Sequence, residues 1–195
     1  MRVIAGRFRS RLLRAPAGLS TRPSTDRLRE TLFNVIAPRI EGSTFLDLYA
    51  GSGAVGIEAI SRGAERVAFV ERDAGAARIL RGNLERLGIT GGFRLHAGSV
   101  RVFLRPNAGG GPKQVRYDLA FMDPPYDAAE EYAATLGMLG GSAAVHLAQG
   151  ALVIAEHRRK QPLEERYGRL RRTRLLEQGD AALSFFTLEE DASMN

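Results

Sequence analysis

Asp123-Pro124-Pro125-Tyr126, closing the apolar run Leu119-Ala120-Phe121-Met122, has the residue types of a clamp for a planar amine. Asp123 and the Pro124 carbonyl can accept hydrogen bonds from an NH2 group, and Tyr126 can stack on the ring that bears it. Pro124 and Pro125 fix φ and withhold backbone donors, which keeps the acceptors aimed. A Pro-rich turn after a strand would read the same way in isolation. A second motif upstream gives this one a purpose.

That motif is Asp47-Leu-Tyr-Ala-Gly51-Ser-Gly53-Ala-Val-Gly56, with Glu71 beyond it. Gly51, Gly53 and Gly56 satisfy G-x-G-x-x-G, and an acidic residue about 20 positions on is the usual companion of a dinucleotide site. Asp47 points elsewhere, because a carboxylate at the mouth of the loop repels a pyrophosphate. It suits the ammonium of S-adenosylmethionine, a cofactor without phosphate and with a cationic sulfonium. The glycines allow close approach of the backbone, and Glu71 can accept both ribose hydroxyls. A nicotinamide dehydrogenase is the rival reading, and it leaves the Pro-Pro-Tyr clamp without a role. A turn that merely packs helix on strand is the bland one.

Composition narrows the setting. The 195 residues suffice for one sizeable core, expected as a single domain over 1–190 with a basic extension at 1–40 and a frayed tail at 191–195. The chain has no cysteine, and His96, His146 and His157 do not sit at metal-ligand spacing, so no metal is expected. No apolar stretch reaches membrane-spanning length and no signal-peptide pattern is present, which fits a cytoplasmic protein. The net charge of +6 is segregated: +7 over residues 1–39, −2 over 40–157, +6 over 158–174 and −5 over 175–195. Two basic segments flanking a near-neutral centre fit a polyanion-binding face better than a uniformly solvated surface. Arg7, Arg9, Arg11, Arg14, Arg22, Arg27 and Arg29 are the candidate phosphate contacts, with the 158–174 segment second.

The elements that must position these motifs follow from periodicity. Residues 1–21 read as extended, with a short β-hairpin about Gly6. A helix starts near 22–26, carries Leu28, Leu32, Phe33, Val35 and Ile36 at helical spacing, and is expected to stop at Pro38. Strands are expected at 45–48, 67–70, 93–96, 118–122 and 151–155. Helices at 53–61, 73–87, 100–104 and 128–139 alternate with them, the second capped by Asp73. Residues 173–176 and 182–187, joined at Gly179-Asp180, read as a closing hairpin. Residues 106–112 form a loop. Short apolar strands alternating with helices imply an α/β fold with a mainly parallel sheet covered on both faces.

Taken together, the motifs resemble the bacterial 16S ribosomal RNA guanine-N2 methyltransferase family. The stretches that carry the resemblance are Met1-Arg-Val-Ile-Ala-Gly-Arg7, Thr21-Arg-Pro-Ser-Thr-Asp-Arg-Leu-Arg-Glu-Thr-Leu-Phe-Asn34, the 47–53 loop, Glu58-Ala-Ile-Ser-Arg-Gly-Ala64 and Asp123-Pro-Pro-Tyr126. The resemblance runs from residue 1 to about 187, and the 21–34 stretch is its specific part. It implies a Rossmann-like class I methyltransferase with a seven-stranded sheet. It also implies S-adenosylmethionine lined by Asp47, Tyr49, Ala50, Gly51, Ser52, Gly53, Glu71, Arg72, Ser99, Val100 and Asp123. Asp123, Pro124, Pro125 and Tyr126 would hold the target base, and residues 25–27 would border the cofactor or guide the RNA. The implied partner is 16S ribosomal RNA or a small-subunit particle, met by a monomer. Gly98-Ser99-Val100 departs from the pattern, since many class I enzymes place an acidic residue there for the adenine amine. An adenine-N6 nucleic-acid methyltransferase would use the same clamp but usually carries extra target-reading segments. A protein-glutamine methyltransferase normally has Asn in place of Asp123. A non-catalytic RNA-binding protein would not need Asp47, Gly51, Gly53 and Glu71.

Overall fold

A computed structural model describes residues 1–15, 23–106, 115–125 and 129–189. The chain forms two compact units, Met1–Val100 and Arg101–Asn195.

In the first unit, α1 (Pro23–Ile40) buries Leu28, Leu32, Phe33, Ile36 and Ile40 along one face. It runs through Pro38 instead of stopping there. Proline removes one backbone donor, but only a last half-turn follows, and burial of Ile40 holds it in place. Three parallel strands come next: β1 (Thr44–Leu48), β2 (Arg66–Glu71) and β3 (Phe93–Ala97). β1 pairs with β2 from Thr44↔Arg66 to Leu48↔Val70, and β2 with β3 from Val67↔Phe93 to Glu71↔Ala97. Every residue of β1 is buried, as expected of a strand covered on both faces. The helices between them are α2 (Ala54–Ser61) and α3 (Ala74–Arg86), and Asp73 caps α3 by accepting from Ala76 N at 2.7 Å. Among residues 1–15, in place of two strands there is one antiparallel bridge, Arg2↔Leu12. Val3 N–Arg11 O and Leu13 N–Met1 O bonds of 2.9 and 3.0 Å flank it.

Short helix α4 (Val100–Phe103) leads into the second unit. There β4 (Tyr117–Met122) lies parallel to β5 (Leu147–Arg158), in register from Leu119↔Leu152 to Met122↔Ala155. Between them are α5 (Ala129–Leu139) and a 3-10 turn at Ser142–His146. The antiparallel part holds β6 (Arg166–Tyr167), β7 (Leu170–Gln178) and β8 (Ala181–Leu188). β8 pairs with both β5 and β7, turning at Gly179-Asp180. The seven strands expected from residue 45 onward all form, and two-residue β6 is an eighth among the described residues. It leaves no signal in the sequence, because two residues carry no periodicity. The fold is thus α/β, mainly parallel, with an antiparallel closing hairpin. Among the described residues no helix is long and apolar enough to cross a membrane.

Candidate active site

The loop after β1 is built from inside the first unit. Asp47, 2% exposed, accepts a hydrogen bond from Gly56 N at 2.8 Å, tying the strand end to the first turn of α2. Burial pushes its carboxyl up to about 7; the Gly56 bond opposes this and the Glu71 charge adds to it. Tyr49, Gly51 and Gly53 all have positive φ, at 64°, 55° and 82°. Gly53 is required twice over, because a Cβ there would lie 2.8 Å from Leu80 Cγ. At Gly51 an added Cβ would meet nothing within 4 Å, so the loop backbone borders open space at that point.

Glu71 at the end of β2 does more than its expected ribose role. Its Oε2 accepts from Gly51 N and its Oε1 from Asp73 N, each at 2.7 Å, so it holds the loop and the start of α3 together. Each oxygen keeps a second lone pair for a ligand hydroxyl. Ala50 and Ser52 are buried, Arg72 is exposed, Ser99 is half-buried and Val100 is buried. The acceptors present fit a cationic, phosphate-free cofactor: a buried acid in β1 before the loop, a carboxylate at the end of β2, and backbone open at Gly51.

The second unit carries the other motif. β4 ends in fully buried Met122, and Asp123 follows half-buried, Pro124 buried and Pro125 exposed. Tyr126 lies outside the described residues.

The basic arm, residues 1–15, is clasped to α2. Glu58, wholly buried, accepts from Ile4 N at 2.7 Å and Ala5 N at 2.9 Å, and also from Arg62 Nε at 2.7 Å. Ser61 accepts from Phe8 N through Oγ at 2.9 Å and from Arg7 N through its carbonyl at 2.7 Å. Gly6 makes this contact possible, since a Cβ there would fall 1.9 Å from the Ser61 carbonyl oxygen. Arg7, Arg9, Arg11, Arg14 and Arg27 are exposed. Arg22 lies outside the described residues. Arg29 departs from expectation. It is 7% exposed and donates to the Arg2 carbonyl at 2.6 Å and to Asp26 at 3.0 Å, so it is a scaffold residue rather than a surface cation. Burial lowers its pKa, and the Asp26 charge opposes the shift.

Two residues to which the sequence reading gives no role of their own organise this region: Glu58 on α2, which holds the arm, and Asn83 on α3, which contacts both the arm and the loop. No group of three or more possible metal ligands occurs among the described residues.

Residues 1–187 match the family described as Conserved hypothetical protein 95. A Bacillus subtilis (strain 168) protein named "Putative rRNA methyltransferase YlbH" is 38% identical over 174 residues, covering 89% of this chain and 91% of its own length. The "Ribosomal RNA small subunit methyltransferase D" of Escherichia coli (strain K12) is 39% identical over 126 residues. That alignment takes in 65% of this chain and 60% of the E. coli protein, under two thirds of its length. The solved structure of "Putative methyltransferase yhhF from Escherichia coli" superposes with a TM-score of 0.80 at 31% identity, over 97% of this chain and 98% of that one.

Proposed function

The chain belongs to the Conserved hypothetical protein 95 family, a family of class I methyltransferases, and on that premise we propose that it methylates the exocyclic N2 amine of a guanine in 16S ribosomal RNA, with S-adenosylmethionine as donor. Relatives named as ribosomal RNA methyltransferases support the RNA substrate. One observation carries the transfer chemistry: a buried acid, Asp47, at the mouth of a glycine loop whose backbone is open at Gly51. That arrangement favours a cation and disfavours a phosphate.

Asp47 would hold the ammonium, Glu71 the ribose hydroxyls, and Gly51 and Gly53 the approach to the backbone. S-adenosylmethionine supplies a methyl group on a sulfonium, which leaves as a neutral thioether when the amine nitrogen attacks the methyl carbon. Asp123 and the Pro124 carbonyl would orient the NH2 group and stabilise the positive charge that develops on nitrogen. Asp123 would then take the surplus N–H proton, directly or through water. Tyr126 would replace part of the stacking that the target base loses on leaving its helix. Arg7, Arg9, Arg11, Arg14 and Arg27 would contact phosphates and set register.

Labelled S-adenosylmethionine offered with ribosomal RNA, small-subunit particles and DNA tests this, followed by nucleoside analysis. N2-methylguanosine in 16S RNA is the expected product. Label in N6-methyladenine, or in protein alone, would redirect the reading.

Two further outcomes are expected. A proton on Asp47 competes with a cationic ligand, and the group is largely protonated below its raised value of about 7. Cofactor affinity should therefore rise as pH is raised from about 6 to about 8, by at most roughly tenfold per pH unit, and level off above. Calorimetry in buffers of differing ionisation heat would detect the released proton, and Asp47→Asn should flatten the profile. On the arm, neutralising Arg7, Arg9 and Arg11 together to Gln should weaken RNA binding at low salt. It should also reduce the slope of log affinity against log salt by about one unit for each phosphate left without its cation. Filter binding across a salt series reads both.

A further inference from the structure

Asn83 is 1% exposed and sits on the buried side of α3. Its side-chain amide makes four hydrogen bonds, enough to use both donors and both acceptor lone pairs. Oδ1 accepts from Arg14 N at 2.9 Å and from Arg86 Nη2 at 2.8 Å. Nδ2 donates to the Arg14 carbonyl at 3.0 Å and to the Ser52 carbonyl at 2.9 Å. Arg14 stands near the end of the described part of the basic arm, and Ser52 lies between the two positive-φ glycines of the cofactor loop. A single rigid amide therefore spans the segment proposed to meet RNA and the segment proposed to hold the cofactor. A second contact runs in parallel, with Ser52 Oγ lying 3.8 Å from Met1 Sδ at the other end of the arm.

Neither contact is needed to dock α3, which Ala76, Ala77, Leu80 and Leu84 already bury. Nor do they close the loop, which Asp47 and Glu71 hold. What they add is a link between two segments far apart in sequence.

We propose that Asn83 is a positioning residue that couples the two binding events, so that cofactor and RNA each tighten the binding of the other. A ligand that fixes the loop at Ser52 fixes the partner of Nδ2 and so holds the amide in the orientation that pairs with Arg14. RNA then meets an arm with less freedom left to lose, and by linkage the same factor applies in reverse. The inference rests on the methyltransferase reading.

The test uses the full chain, 16S RNA or small-subunit particles, and S-adenosylhomocysteine as the unreactive cofactor. RNA affinity is measured with and without saturating S-adenosylhomocysteine, and S-adenosylhomocysteine affinity with and without RNA. In the parent protein each ligand should tighten the other by about tenfold. Asn83→Ala should reduce that factor to below about twofold, with each separate affinity changed much less than the coupling. Arg86→Gln removes a neighbour of the amide but leaves the Arg14 and Ser52 bonds, so its coupling should persist. If Asn83→Ala does not fold, Asn83→Ser keeps a polar group in place but is too short to bridge both partners, and it should lose the coupling too. Independent binding in the parent protein, or undiminished coupling in the Asn83 variants, would overturn the proposal. Failure to bind S-adenosylhomocysteine at all would instead remove the reading beneath it.

Discussion

Replacing Asp123 with alanine should lower turnover by about two to four orders of magnitude while cofactor affinity stays within roughly tenfold. The expectation rests on the nucleophile. A guanine N2 lone pair is delocalised into the ring, so the amine reacts only if it is turned toward the electrophile and its growing charge is met by an acceptor. In the proposed reaction Asp123, which follows β4, would be the carboxylate offered to such a group, and the two prolines after it supply no competing donor. Asn would keep one acceptor but not the charge or the proton sink, and should fall between the parent and alanine. Single-turnover rates at saturating cofactor, alongside calorimetric S-adenosylhomocysteine binding, separate the chemical step from binding. Near-normal turnover in Asp123→Ala would remove this residue from the mechanism.

Glu58→Ala should cost about 3–5 kcal/mol of folding stability, the scale for breaking a buried ionic pair while stranding its partners. The Glu58 side chain is fully buried, and its two oxygens accept from Ile4 N, Ala5 N and Arg62 Nε. Alanine would leave two backbone donors and a guanidinium without that acceptor. A melting temperature lower by roughly 6–20 °C is expected for a chain of this size. Proteolysis should then begin within residues 1–15, because the arm loses its main anchor. Gln keeps the shape and one good acceptor, so it should recover part of the stability. A melting temperature within about a degree of the parent would mean that Ser61, Asn83 and Arg29 hold the arm without Glu58.

Much of this is readable in the chain. The strand positions follow from short apolar runs, and the Asp73 cap from its place before a helical pattern. Arg29 is readable too, though composition hides it. It precedes Leu32, Phe33 and Ile36 by three, four and seven residues, which puts it on the buried side of α1. Counting it as one more surface cation gives charge priority over spacing. Asn83 follows the same rule, three residues after buried Leu80. The partners of these residues are not legible. Contacts such as Glu58 with Ile4, 54 positions apart, depend on how the arm folds back, and no local pattern encodes that. The length of α1 past Pro38 and the two residues of β6 turn on tertiary contacts, which propensity does not weigh.

The clasp on α2 has a consequence for how the protein meets nucleic acid. Ile4, Ala5, Arg7 and Phe8 already give their amides to Glu58 and Ser61, so the backbone of this segment is preset, and in the proposed RNA contact it would present Arg7 as part of a template rather than a loose tether. A template sacrifices little chain entropy on docking, but it cannot mould itself to a partner. Selectivity would then rest on whether the polynucleotide arrives with its phosphates already at the matching intervals.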